Sequence, residues 1–92
     1  MPKYLVFITV IGKDQKGIIA RISNAVYMHN INIEDLNQKV MEGYFVMTML
    51  ADMSDSSMTI PELKKELSVI EKEMGLSIQV QHEDIFKAMH RV

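Results

Sequence analysis

The chain has 92 residues, of which 48% are hydrophobic and 24% charged. This length predicts a single domain spanning residues 1–92, and the composition is that of a globular protein rather than a disordered or fibrous one. Ten basic against twelve acidic residues give a net charge of −2. That balance disfavours nucleic acid as a partner, because binding to phosphates requires an excess of basic residues.

The chain contains no cysteine, so a disulfide framework and thiolate metal sites are excluded. Its longest apolar stretch, residues 5–11, is far shorter than the roughly 20 residues that span a bilayer. The first residues also lack the small-residue cleavage site of a signal peptide. The sequence therefore predicts a cytoplasmic protein that has no membrane partner.

Hydrophobic periodicity and turn residues predict three elements and two turns in the first half of the chain. Residues 3–11 are apolar on both faces, which is typical of a central strand covered on both sides. A turn at residues 12–17 leads to a helix from Ile18 to about Asn30, and residues 31–40 alternate as a half-exposed edge strand. Residues 41–43 form a hairpin turn. The two faces of the first strand are Tyr4, Val6, Ile8 and Val10 on one side and Leu5, Phe7, Thr9 and Ile11 on the other.

The second half begins with an interior strand at residues 44–51 and a polar loop at residues 52–57. Thr59 and Glu62 have the spacing of a capping box, with Pro61 in the first turn. We expect this helix to end at Met74, where Gly75 suits a left-handed cap. Residues 76–81 alternate as a last strand, and residues 83–92 predict a short amphipathic helix.

The order βαββαβ with short connections predicts an α+β, ferredoxin-like fold. This fold has an antiparallel four-stranded sheet with two helices on one face, here followed by a short C-terminal helix. The open face of the sheet would carry more apolar side chains than a monomer usually exposes, which predicts a homodimer. Most of the nine methionines are expected to fill the core, with Met47 or Met49 at a subunit contact.

The segment from Gly12 to Ile18 carries the clearest chemical signal. Unpaired N–H groups at Gly17, Ile18 and Ile19, together with the helix dipole, favour a small anion such as a carboxylate. Asp14, a few residues earlier, can take an ammonium group, so the two features can bind both charged ends of an amino acid. Alternatively, Asp14 caps the helix and the glycines only make the turn.

Residues 12–23 (GKDQKGIIARIS), followed by residues 30–33 (NINI), resemble the signature of ACT domains. The usual pattern is Asp, any residue, Pro, Gly, then Leu or Ile, a helix, and Gly, any residue, Asn, Ile. Lys16 replaces the Pro here, and Asn30 replaces the Gly. The segment is similar to the ACT domains of formyltetrahydrofolate deformylases and of glycine cleavage system transcriptional repressors. The whole chain resembles a family of stand-alone ACT proteins of uncharacterised function.

This resemblance implies a regulatory module that binds an amino acid at a subunit boundary. Carried over by position, the ligand site comprises Gly12, Asp14, Gly17 and Ile18 in the first loop. Asn32, at the start of the second strand, completes it from across the dimer interface. The resemblance thus supplies the interface location, which residue spacing alone does not give.

No other pattern indicates chemistry. His29, His82 and His90 lie on separate predicted elements without paired ligand spacing, so no metal site is expected. No Ser or Thr stands beside a His in a nucleophile arrangement, so no catalytic residue, cofactor or enzymatic activity is predicted. The sequence thus predicts a homodimeric amino-acid sensor that signals to an unknown protein or through its own assembly. The alternative is a ligand-free interaction module using the open sheet face and the tail at residues 83–92.

Overall fold

A computed structural model of the chain describes residues 2–89, and over this range it contains one four-stranded sheet and three helices. In chain order the elements are β1 (Leu5–Lys13), α1 (Ile18–Met28), β2 (Asn32–Met41), β3 (Tyr44–Asp52), α2 (Ile60–Met74), β4 (Ser77–His82) and α3 (Glu83–Met89). The predicted order βαββαβ with a tail helix is confirmed.

The strands lie in the order β2-β3-β1-β4, and every neighbouring pair is antiparallel. The prediction that the first and third strands are interior and the second is an edge is therefore confirmed. β1 extends two residues beyond its predicted end, because Lys13 still pairs with Tyr44 of β3. The loop before α1 is consequently reduced to residues 14–17.

The core lies between one face of the sheet and helices α1 and α2. Alternation along β1 buries Val6, Ile8 and Val10 completely, as expected for a strand with one face against helices. On β3 the same phase buries Met47 and Met49, which are 1% and 0% exposed. The prediction that one of these methionines lies at a subunit contact is therefore wrong, because both side chains face the helices.

The first strand was predicted to begin at Lys3, with Tyr4 on the same side as Val6, and this start is two residues too early. β1 begins at Leu5, so Tyr4 precedes the strand and is 45% exposed. Its ring packs edge-on against His82, with ring centroids 5.0 Å apart. Tyr4 thus links the start of β1 to the end of β4 outside the core.

Backbone geometry and caps define the helix ends. α1 ends at Met28, two residues before its predicted end, and Asn30 adopts a left-handed φ of 58°. At the start of α2, Thr59 accepts a hydrogen bond from the Glu62 backbone and Glu62 accepts one from the Thr59 backbone, which confirms the capping box. Gly75 ends α2 with a φ of 66°, as predicted.

α3 packs on the sheet face opposite α1 and α2. The Phe86 ring stacks on Phe7 of β1 with centroids 4.0 Å apart, so the tail helix covers part of the open face. The predicted tail extends to residue 92, and its last three residues lie outside the described part of the chain. Within residues 2–89, no helix is long and apolar enough to cross a membrane.

Candidate functional site

The loop at residues 14–17 is held from two sides. The Asp14 backbone N–H donates to the carbonyl of Gly43, in the turn between β2 and β3, at 2.9 Å. The Gln15 side chain donates to the carbonyl of Met74, at the end of α2, at 2.9 Å. These bonds leave the Asp14 carboxylate exposed, and no donor within residues 2–89 bonds it. The loop therefore presents a fixed backbone and a free negative charge.

Helix α1 begins directly after this loop without a side-chain cap. Gly17 is the N-cap residue, its φ is 89°, and no side chain bonds the first turn. The interpretation that Asp14 caps the helix is therefore wrong. Because the first N–H groups of a helix have no partner within it, Ile18 and its neighbours offer donors at the positive end of the helix dipole. Ile18 itself is 3% exposed, which anchors this end in the core.

Gly12 is required by packing at the base of the loop. A Cβ at this position would lie 2.5 Å from Cδ2 and 3.3 Å from Cα of Leu76. Glycine therefore lets the end of β1 approach the residue that precedes β4 without displacing the Leu76 side chain. The predicted site residue Gly12 thus shapes the base of the loop rather than offering a functional group.

Asn32 belongs to a polar cluster at the start of β2. Its Nδ2 donates to one carboxylate oxygen of Glu34, and Lys3 Nζ donates to the other. The bond that Lys3 donates, followed by the one from Asn32, lowers the pKa of Glu34, and the bond that Lys3 donates to Glu34 also raises the pKa of Lys3. Hydrogen bonding thus favours the ionised forms of both residues.

Asp52, at the end of β3, lies beside this cluster. It accepts backbone hydrogen bonds from Ser54 and Tyr4, each 3.0 Å long. These bonds lower the pKa of Asp52, because backbone donors favour a charged carboxylate. The start of β2 is thus surrounded by ionised side chains whose bonding partners lie within the same protomer.

Within one protomer the structure does not bring all the predicted site residues together. Asn32 pairs with Asp52, which in turn pairs with Leu5 at the start of β1. Asp14 follows Lys13 at the other end of β1, about 25 Å away at the rise of an extended strand. Gly12, Gly17 and Ile18 lie with Asp14, whereas Asn32 lies at the opposite end of the sheet.

Two residues of the Asn32 cluster do not appear among the sequence predictions. Glu34 is only two residues from Asn32, but it lies at an irregularity in the pairing of β2 with β3 that interrupts the strand period, so strand alternation does not predict their contact. Lys3 is 31 positions away from Glu34 in the chain, so only the fold brings these two side chains together.

Comparison with known proteins identifies the family. The ACT domain family model matches residues 4–81. The chain belongs to the ACT domain family. A UPF0237 protein of Methanopyrus kandleri is 46% identical over 85 residues, which cover 92% of this chain and 94% of that protein. ACT domains are generally regulatory modules that bind amino acids.

Solved structures agree with this assignment. An ACT domain protein from Streptococcus pneumoniae is 31% identical, covers 97% of this chain and superimposes with a TM-score of 0.80. A formyltetrahydrofolate deformylase from Pseudomonas syringae gives a TM-score of 0.81 at 17% identity, and the match takes in only 28% of that protein. The second likeness concerns the fold alone.

The histidines of this ACT domain make local contacts. His29 Nε2 lies 3.4 Å from a carboxylate oxygen of Glu66, and His82 Nδ1 lies 3.6 Å from one of Asp84. Among residues 2–89, no three His, Asp or Glu side chains are grouped so that they could hold a metal ion. His90 lies outside the described residues.

Proposed function

We propose that this ACT domain is a homodimeric sensor of a small amino acid. The observation that carries the proposal is the free carboxylate of Asp14 beside the uncapped start of α1. The ligand carboxylate accepts hydrogen bonds from backbone N–H groups at Gly17 and Ile18, and its ammonium group binds Asp14. Gly12 contributes by fixing the base of the loop.

The edge strand β2 supports dimerisation. Near its end, Val40, Met41 and Tyr44 are each more than half exposed, and an open edge with apolar side chains favours pairing with another chain. In an antiparallel pair of two β2 strands, the start of one strand lies beside the end of the other. This arrangement places Asn32 of the partner subunit beside the β2–β3 turn, to which Asp14 is bonded.

Ligand binding would act through the dimer. A ligand that contacts both chains stabilises the dimer arrangement in which both sets of contacts are made, and this differential affinity is the signal. A ligand as small as glycine gains at most about 1.5 kcal/mol per heavy atom, which limits its affinity to the micromolar range or weaker. We place this regulatory role, which requires no catalytic residue or cofactor, in the cytoplasm.

A melting screen tests the proposal. Each of the twenty amino acids is added at millimolar concentration, and a ligand at one hundred times its Kd stabilises the folded state by about 2.7 kcal/mol. At about 4–8 °C for each kcal/mol, binding is readily detected. We expect a selective shift that Asp14→Ala abolishes, whereas the control variant Asp84→Asn, in the distant α3, retains it. An equal shift in the melting temperature of Asp14→Ala would mean that the amino acid binds at a site that does not include Asp14.

If no amino acid shifts the melting temperature, the ligand-free interaction module becomes the better account. One observation weighs against that alternative: Phe86 of the tail already packs on Phe7 of the open face within the same protomer. A partner that bound this face through the tail would first have to displace that contact.

A further inference from the structure

Glu34 is the centre of the polar cluster at the start of β2, and both of its carboxylate oxygens are occupied. Oε1 accepts from Lys3 Nζ, and Oε2 accepts from Asn32 Nδ2. A carboxylate bonded on both oxygens to its own chain is poorly placed to bind a ligand cation itself. Its hydrogen bonds indicate a different role, which is to fix the orientation of the side chains that it bonds.

The bond from Asn32 to Glu34 fixes the orientation of the Asn32 amide. An ionised carboxylate accepts hydrogen bonds and cannot donate them, so it bonds the nitrogen end of the amide. The amide oxygen Oδ1 then points away from Glu34. The amide donates to Glu34 and not to Asp52, whose Oδ1 accepts from the backbone of Tyr4 and Ser54. Asn32 is exposed, so Oδ1 is offered to solvent as an acceptor.

We infer that Glu34 is a positioning residue that turns the Asn32 amide oxygen toward the ammonium group of an amino acid bound at the partner's first loop. The inference rests on the proposed function, since Asn32 reaches that loop only in a dimer. It also specifies the ligand class: the site selects molecules with a protonated amine beside the carboxylate. Carboxylic acids that lack the amine offer Asn32 Oδ1 no donor.

The orientation of the amide can be tested in the free protein by NMR. The two side-chain amide protons of Asn32 differ more in chemical shift when only one of them bonds a carboxylate, so we expect their resonances to be more widely separated than in a free amide. In Glu34→Ala this separation should narrow. In the control Asp35→Ala, which removes the neighbouring carboxylate of the same strand, it should remain. An unchanged spectrum in Glu34→Ala would overturn the inference, whether or not any ligand binds.

Selectivity for the amine is measured by calorimetry. Each of the twenty amino acids is paired with the carboxylic acid that lacks its amine, such as glycine with acetate and L-alanine with propionate. We expect the wild type to prefer the amino acid at least about tenfold, as for a lost charge-assisted hydrogen bond. Glu34→Ala should lose the part of this preference that Asn32 contributes, while the part that Asp14 contributes remains. It should not weaken the binding of the carboxylic acid, and Asp35→Ala should keep the full preference.

The two levels of the argument fail differently. If no amino acid binds the wild type, the proposed function fails and this inference fails with it. If an amino acid binds but Glu34→Ala discriminates as well as the wild type does, only the positioning role of Glu34 is overturned. A general loss of folding in Glu34→Ala would be seen in its NMR spectrum, and Glu34→Leu, which keeps the bulk of the side chain but offers Asn32 no acceptor, would then replace it.

Discussion

The two edges of the sheet differ in length and in how their backbone groups are bonded. β4 has six residues, and the backbone N–H of Ile78 donates to the Glu71 side chain of α2 at 2.7 Å. β2 has ten residues, its pairing with β3 is irregular between Ile33 and Asp35, and the Leu36 N–H donates to the Asp35 carboxylate at 2.8 Å. Beyond that point the strand pairs regularly with β3 as far as Met41.

This difference indicates which edge can accept another chain. A side chain from a helix that bonds an edge strand blocks its pairing, whereas a regular, uncovered edge invites pairing. At β4 the bond from Glu71 occupies a donor that an incoming strand would need. The free edge of β2 belongs to the same end of the sheet as the Asp14 loop, so assembly and ligand binding are expected to be coupled there.

The largest effect is expected from Gln38→Pro at the open edge. The two-residue turn at Glu42 and Gly43 makes Met41 and Tyr44 a hydrogen-bonded pair, so the N–H of Gln38 points outward. Proline removes this donor without breaking the pairing with β3. In sedimentation velocity, we expect a monomer at concentrations where the wild type is a dimer, with an unchanged far-UV circular dichroism spectrum.

The matched control is Gln38→Thr, which keeps the backbone N–H and should sediment as the wild type does. A proline variant that remained a dimer would exclude the β2 edge as the dimer interface and would favour the open face of the sheet instead.

Gly12→Ala tests the β4 side of the sheet, where β1 approaches the residue before β4. Because the added Cβ would lie 2.5 Å from Leu76 Cδ2, we expect a loss of about 1–3 kcal/mol in the free energy of unfolding. Urea denaturation measures it. Leu76→Ala removes the nearest atom, so in that background Gly12→Ala should lower the free energy of unfolding by less. If the losses caused by the two substitutions simply add, the overlap between the new Cβ and Leu76 is contradicted.

Glu71→Ala opens the β4 edge. Loss of the hydrogen bond to the Ile78 N–H should lower the free energy of unfolding by about 1–2 kcal/mol, as for a bond to a charged group. Glu71→Gln, which keeps an acceptor, should lose less. Glu73→Ala serves as the control on the same helix, since its exposed ion pair with Arg21 contributes little. Equal melting temperatures for Glu71→Ala and Glu73→Ala would contradict a role for Glu71 at this edge.

The smallest effect concerns pH at the start of β2. Hydrogen bonds from Ser54 and Tyr4 lower the pKa of Asp52 below its ordinary value of 3.8. The stability that Asp52 contributes is therefore present above about pH 4 and is lost as the pH falls through the lowered pKa of the folded state. Melting curves between pH 5 and about pH 2 should show a weaker pH dependence in Asp52→Asn. An identical dependence in both proteins would mean that other carboxylates account for it.

Local signals in the sequence were sufficient for most of the fold. The capping box at Thr59 and Glu62 and the left-handed cap at Gly75 act within a few residues, so sequence spacing predicts them correctly. The same holds for the alternation that buries Val6, Ile8 and Val10. The errors at the two ends of β1 have one cause: where a strand begins and ends depends on which residues its neighbours pair with, and this pairing is not local.

The candidate site divides in the same way. The sequence by itself located the segment from Gly12 to Ile18, because glycine, a carboxylate and a helix start follow one another directly in the chain, although the structure limits the loop within it to residues 14–17. Only the tertiary structure decided that Met47 and Met49 face the helices, that Lys3 meets Glu34, and that Asn32 lies at the far end of the sheet from Asp14. The physical reason is that the phase of a strand and the contacts between distant segments are fixed by packing and pairing across the whole sheet.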